Sequence, residues 1–133
     1  MILQDLKDFL TSNSINSVTK EFSKGIIFND EIEDEKIFFI VEGTILASIL
    51  YKDREILSPY FYKKNNFLGL IFLFEDYHLI PHIQLFSPDD NLKVLEIDAE
   101  QLRAALAKDP AFHVLLLEEH LKVFRDIYTV SLI

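Results

Sequence analysis

The chain has 133 residues, of which 50% are apolar and only three are Gly, so its composition is that of one packed globular domain and not of a disordered segment. It has no Cys, which excludes disulfides, thiol nucleophiles and Cys-ligated iron–sulfur clusters. The net charge is −9, with 13 Lys and Arg against 22 Asp and Glu. Because nucleic acids and anionic membrane surfaces are bound through clustered positive charge, we expect this chain by itself to bind neither.

The first residues predict a short amphipathic helix. Apolar side chains at positions 2, 3, 6, 9 and 10 have helical spacing, and the polar stretch TSNS follows them. We place this helix at residues 1–12. The stretch also lacks the basic n-region of a secretory signal, so the expected location is the cytoplasm.

The pattern of residues changes over residues 23–98, and it predicts a β-roll there. Short runs rich in β-branched and aromatic residues, such as KIFFIV and LKVLEID, are separated by turn residues such as Lys52-Asp53-Arg54 and Lys64-Asn65-Asn66. No helical pattern is recognisable between these runs. Many short strands at such spacing are typical of a sandwich or barrel.

Two helices are predicted after the roll. Asp98 followed by Gln101 is a capping box that opens a short helix over residues 98–108. Asp109 as N-cap and Pro110 at the first helical position open a long helix over residues 110–133.

The long helix carries two apolar stripes, and one helix face is sufficient to cover its own domain. We therefore expect the second stripe to be the seam of a homodimer. The alternative is one wide face that is entirely buried within the chain. The proposed seam consists of Leu117, Leu121, Phe124 and Tyr128, and the other stripe of Leu116, His120, Val123, Ile127 and Val130.

The order of these elements resembles the sensor half of the Crp/Fnr superfamily of bacterial transcription regulators. The likeness is carried by SKGIIF, IFFIVEGTILAS, YKDREILSPYF, NNFLGLIFLF and LKVLEIDAEQLRAALAKDPAF, in that order along the chain. The resemblance implies a mainly β fold with flanking helices, namely a double-stranded β-helix (jelly-roll) of the cyclic-nucleotide-binding type with a long dimerisation helix. It also implies that DNA is bound only through a winged helix-turn-helix, which is absent from these residues.

One segment departs from the family pattern in a way that bears on ligand binding. Cyclic-nucleotide binders of this family place a Glu after a cassette glycine and an Arg further on; here Gly69 matches the glycine, but Leu70 replaces the Glu. No Lys or Arg occurs between Asn65 and Leu92. A buried phosphate needs a cationic partner, so we expect no cyclic AMP or GMP binding. In this unfamiliar cassette the chain is similar, in style only, to the PrfA-like branch.

The expected pocket is apolar and takes a small non-nucleotide effector, or else is filled by the chain's own side chains. Asn65-Asn66 replaces the family's Gly-Asp turn, and we expect that turn to be kept because Asn tolerates positive φ. The residues expected to line the pocket are Gly69, Leu70, Ile71, Phe72, His78 and His82.

No catalytic, metal or cofactor site is predicted. His78 and His82 bracket Pro81 in a strand-like stretch, where a spacing of four does not bring two ligands together. No His precedes His78, so the usual metal site of catalytic cupins cannot be assembled. The rival interpretation is a stand-alone β-roll interaction module without a role in DNA binding.

Overall fold

In the part of the chain that the structure describes, the strands form two four-stranded antiparallel sheets, which confirms the predicted jelly-roll. The computed structural model describes residues 1–29, 36–51, 54–74 and 82–131. Sheet A has the order β1-β8-β3-β6 and sheet B the order β2-β7-β4-β5. The elements are α1 (Leu3–Ser12), β1 (Ser17–Phe22), β2 (Gly25–Asn29), β3 (Lys36–Glu42), β4 (Ile45–Tyr51), β5 (Arg54–Tyr62), β6 (Phe67–Leu68), α2 (Ile71–Phe74), β7 (His82–Ser87), β8 (Leu92–Asp98), α3 (Ala99–Leu106) and α4 (Pro110–Ser131).

Sheet A separates two hydrophobic cores, because successive side chains of a strand point to opposite faces. On one face, Ile37 and Phe39 of β3 and Ile97 of β8 belong to a helix-side core. On the other face, Ile40 and Val94 belong to an inter-sheet core. The helices add Leu6, Leu10, Leu102, Leu106 and Leu116 to the first core, and sheet B adds Ile45 and Leu85 to the second.

Two parts of the roll differ from the sequence-based expectation. The structure adds β1 before the predicted start at residue 23, paired with β8 from Ser17↔Ile97 to Phe22↔Leu92. Its side chains are nearly all exposed, so they show no apolar alternation that would mark a strand. The apolar run from Phe67 to Phe74 lies within the predicted β-roll, but only Phe67–Leu68 is strand and Ile71–Phe74 is the one-turn helix α2. A continuous apolar run does not distinguish these two states.

Both predicted helix caps are present, and one side chain of the capping box makes a different contact. The Gln101 N–H donates to Asp98 Oδ1 at 2.9 Å, and the Phe112 N–H donates to Asp109 Oδ1 at 3.1 Å. Gln101 Oε1, however, accepts from the N–H of Asn16 at 2.6 Å. The start of α3 is thereby tied to the segment between α1 and β1.

The predicted turn at Asn65-Asn66 is confirmed. Asn65 has a φ of 70°, and its N–H donates to the Ile40 carbonyl at 2.8 Å. The Lys63 N–H donates to Asn66 Oδ1 at 2.9 Å, which closes the turn on itself. Asn therefore takes the left-handed conformation in place of Gly and docks the turn on β3. Among the described helices, none is both long and apolar enough to cross a bilayer.

We predict that Gly43→Ala lowers the free energy of unfolding by about 3 kcal/mol, because it adds backbone strain and a collision. Gly43 has a φ of +88°, and a Cβ there would lie 3.0 Å from both the Asn91 carbonyl oxygen and the Leu92 Cα. Gly25 is the matched control, since its φ is +137° but nothing lies within 4 Å of an added Cβ. Gly25→Ala should cost about 1–2 kcal/mol. Urea denaturation measures both, and equal losses would contradict the collision.

Candidate functional site

The cassette that corresponds to the predicted pocket consists of β6, Gly69, Leu70 and α2. Phe67 and Leu68 pair with Phe39 and Phe38 of β3 and point to opposite faces of sheet A. Phe67 packs in the helix-side core, where its ring meets that of Phe39 edge-on at a centroid distance of 4.9 Å. Leu68 packs in the inter-sheet core. Gly69 has a φ of +94° and ends the strand.

Leu70, at the position where cyclic-nucleotide binders have a Glu, is a packing residue. It is 3% exposed and lies in the helix-side core with Leu6, Leu10 and Leu102. The Leu73 N–H donates to the Leu70 carbonyl at 2.9 Å, which begins the single turn of α2. A carboxylate at this position would be surrounded by apolar side chains.

The described apolar side chains between the sheets form the inter-sheet core. Its fully or nearly fully buried members are Ile40, Ile45, Leu68, Leu85, Leu92 and Val94. Lys20 of β1 is paired with Val94, and Lys36 of β3 is paired with Asp98. Both lysine side chains have acidic neighbours on β8. Lys20 Nζ lies 2.8 Å from Glu96 Oε2, and Lys36 Nζ lies 3.9 Å from Asp98 Oδ2. These two cations are therefore already compensated by carboxylates.

The structure places the expected pocket residues only in part. Gly69 and Leu70 are adjacent in the cassette, and Leu70 faces the helices instead of the space between the sheets. Ile71 and Phe72 belong to α2, and His82 opens β7 opposite Leu50. The side chains of those three residues, and all of His78, lie outside the described residues. Within the described part of the chain, no group of three or more His, Asp or Glu side chains could hold a metal ion.

Contacts between the cassette and α4 were not expected from the sequence. The Phe74 ring lies between the imidazoles of His113 and His120, at centroid distances of 5.5 Å and 5.6 Å. A second contact holds α4 to α1, where the rings of Phe9 and Phe112 stack at 3.7 Å. The signal that could have indicated the first contact is the seven-residue spacing of the two histidines, which places them on one helix face.

The two stripes of α4 have different environments. Leu116 is fully buried and Val123 is also buried, whereas Leu117 and Leu121 are 36% and 49% exposed. One wide face buried within the chain is therefore excluded for Leu117 and Leu121. Phe124 and Tyr128 continue the spacing of the exposed stripe in α4, but their side chains lie outside the described residues.

The exposed stripe begins one step earlier than the sequence interpretation placed it. Val114 precedes Leu117 by three residues and is 52% exposed. The alternation of three and four residues, extended towards the N-terminus, would have found it. Leu115 is also exposed, at 48%, but its position in the helix places it on another side of α4.

Comparisons with known proteins show which fold this is. No protein-family model and no curated protein matches the sequence. A protein from Eubacterium rectale assigned to the Crp/Fnr family of transcriptional regulators matches with a TM-score of 0.73 and 17% identity, over 98% of this chain and 59% of that one. Oxidized CprK in complex with o-chlorophenolacetic acid matches with a TM-score of 0.67 and 17% identity, over 98% of this chain and 51% of that one.

A cyclic nucleotide-binding protein from Geobacter metallireducens also matches, with a TM-score of 0.63 and 16% identity, over 96% of this chain and 88% of that one. At these identities the likeness shows the fold, and the resemblance to the sensor half of Crp/Fnr regulators is confirmed at that level. This chain spans 51% of the length of the CprK chain and 59% of that of the Eubacterium rectale protein.

We predict that Leu70→Glu, which restores the family's carboxylate, lowers the free energy of unfolding by about 4 kcal/mol at pH 8. Burial raises the pKa of the introduced carboxyl, so the loss grows as the pH rises above the ordinary Glu value and is smaller at pH 5 than at pH 8. The control Leu70→Gln has the same shape without the charge and should lose less, to the same extent at both pH values. Urea denaturation of both variants at pH 5 and pH 8 is the measurement, and a pH-independent difference between them would contradict burial of the charge.

Proposed function

We propose that this chain is the sensor and dimerisation part of a Crp/Fnr-type transcription regulator. The likeness of its fold to such proteins supports this, and so does the fraction of their length that it spans. In this proposal DNA is bound by a helix-turn-helix that lies outside these residues, and the chain itself has no catalytic role and no cofactor. The protein acts in the cytoplasm as a homodimer.

The observation that carries the proposal is the exposed apolar stripe on α4. Val114, Leu117 and Leu121 leave a large apolar area in water, on a helix whose other face is already packed against its own domain. An exposed apolar stripe with the three-and-four alternation is the pattern of a two-stranded helical seam. A second copy of α4, aligned in parallel, would bury all three side chains and, by spacing, Phe124 and Tyr128.

We predict that Leu121→Asp converts the dimer to a monomer, because each dimer would bury two unpaired carboxylates. The dimer dissociation constant should increase at least about a hundredfold. The matched control is Leu115→Asp, which places the same charge on an equally exposed leucine outside the stripe and should leave the dimer intact. Sedimentation equilibrium measures both. A wild-type protein that is monomeric at micromolar concentration would end the proposal.

The orientation of the two helices can be tested separately, since the chain has no Cys. Leu121→Cys should form a disulfide between two parallel, in-register copies, because the two-fold axis brings residue 121 next to its own copy. Leu115→Cys is the control and should remain reduced under the same mild oxidation.

For the effector, we propose a small molecule without a phosphate group, or no effector at all. CprK, a protein of the same fold, is solved with o-chlorophenolacetic acid, an aromatic carboxylic acid without a phosphate group, so this example supports a non-nucleotide ligand and not an uncharged one. In this chain the described inter-sheet space presents apolar side chains, and Lys20 and Lys36 at its edge are compensated by Glu96 and Asp98. Such surroundings favour an apolar ligand over an anionic one.

We predict that titration calorimetry with cyclic AMP shows no specific heat of binding at ligand concentrations up to about 1 mM. A Kd of about 1 mM corresponds to a binding free energy of only about −4 kcal/mol. The physical reason is that no Lys or Arg occurs between Asn65 and Leu92 to replace the water around the phosphate. A saturable signal with micromolar affinity would show that the cassette binds nucleotides without an Arg.

A second candidate function is a stand-alone β-roll interaction module. The solved chain of the Geobacter metallireducens protein supports it, because this chain spans 88% of that chain. The reading frame downstream of Ile133 distinguishes the two functions. An in-frame helix-turn-helix supports the regulator, and a stop codon supports the module.

A further inference from the structure

The His113–Phe74–His120 cluster lies directly beside the exposed stripe of α4. His113 precedes Val114 and His120 precedes Leu121, so each histidine flanks one of the stripe's residues on the same side. The Phe74 ring packs on both imidazoles from the side of the cassette. The last residue of α2 is thus in contact with the flank of the proposed seam.

The opposite flank of the stripe carries two charges. Glu118 follows Leu117 and Arg125 follows Phe124, each one residue after a seam position. Residues 113 and 118 are about 140° apart around the helix axis, which prevents a contact between them within one helix. In two parallel helices in register, however, the flank of one helix that carries the histidines faces the flank of the other helix that carries Glu118 and Arg125. That arrangement brings His113 to Glu118 of the second copy, and His120 to Arg125.

We propose that a second copy of this chain completes the His113–Phe74–His120 cluster, with His113 of one protomer donating a hydrogen bond to the Glu118 carboxylate of its partner. This inference rests on the proposed dimer. A neutral imidazole has one N–H donor and one acceptor nitrogen. His113 can therefore donate a hydrogen bond to a carboxylate.

The consequence is that the cassette helix is held against both copies of α4. Phe74 orients the imidazoles from one side, and Glu118 of the partner would fix His113 from the other. A displacement of α2 would then change a contact between protomers as well as a contact within one chain. Glu118 is in this sense a positioning residue for the partner's cassette.

The test is a double-mutant cycle in the full chain, with the dimer dissociation constant as the readout. His113→Glu should weaken the dimer about tenfold, since it places two carboxylates together at each of two symmetric contacts. Glu118→Lys should also weaken it. The double variant restores opposite charges, so its dimer dissociation constant should lie within about threefold of the wild-type value. Such a recovery would show that the two sites are coupled. His113→Gln keeps an N–H donor and should stay close to the wild type.

Two controls separate the interface from folding within one chain. In the monomeric Leu121→Asp background, the same His113 and Glu118 changes should have independent effects on thermal stability, because the contact is between protomers. Lys108→Glu places the same charge change on an exposed residue before α4, away from both flanks, and should leave dimerisation unchanged.

The outcomes distinguish the two proposals. A wild-type monomer overturns the proposed dimer and this inference with it. A wild-type dimer in which the His113 and Glu118 effects simply add overturns this inference alone. Coupling of Glu118 to Arg125 in place of His113 would indicate antiparallel helices, in which like flanks meet, and it also overturns the inference.

Discussion

The structure depends on β3 and β8 being covered on both faces. Ile37 and Ile97 face the helices, while Ile40 and Val94 face sheet B, so one pair of strands supports two cores. Sheets with a single covered face leave polar side chains in water on alternate positions, and these two strands instead present apolar residues to either side. The helices and the roll are thereby joined through a shared layer, and a change in one core is transmitted to the other across the thickness of a single sheet.

The cassette lies where these two cores meet. Phe67 and Leu70 point into the helix-side core and Leu68 into the inter-sheet core, so the segment is held by packing on both sides of sheet A. In the cyclic-nucleotide binders that the sequence resembles, the residue after the glycine is a Glu. Here the same backbone position contributes a buried leucine, and its burial stabilises the conformation of the cassette.

The long helix α4 has two partners on different faces. Leu116 and the Phe9–Phe112 stack attach it to its own domain, whereas Val114, Leu117 and Leu121 stay exposed within the chain. The histidines that contact Phe74 lie between these two faces. A helix arranged in this way connects the cassette with whatever covers the exposed stripe, and it does so through rigid aromatic contacts instead of a loop.

The sequence by itself determined the features that depend on local chemistry. The caps at Asp98 and Asp109, the positive φ of Asn65 and the two stripes of α4 follow from the side chain's own shape and hydrogen bonds, and from the helical repeat. The order of short strands also indicated the roll. Tertiary structure decided what depends on distant partners. The exposed strand β1 exists because β8 offers it hydrogen bonds, and Ile71–Phe74 turns into a helix after Gly69 although its composition suits a strand. Likewise, the contact of Phe74 with His113 and His120 joins residues about forty positions apart, and no periodicity in a single sequence encodes a pairing over that separation.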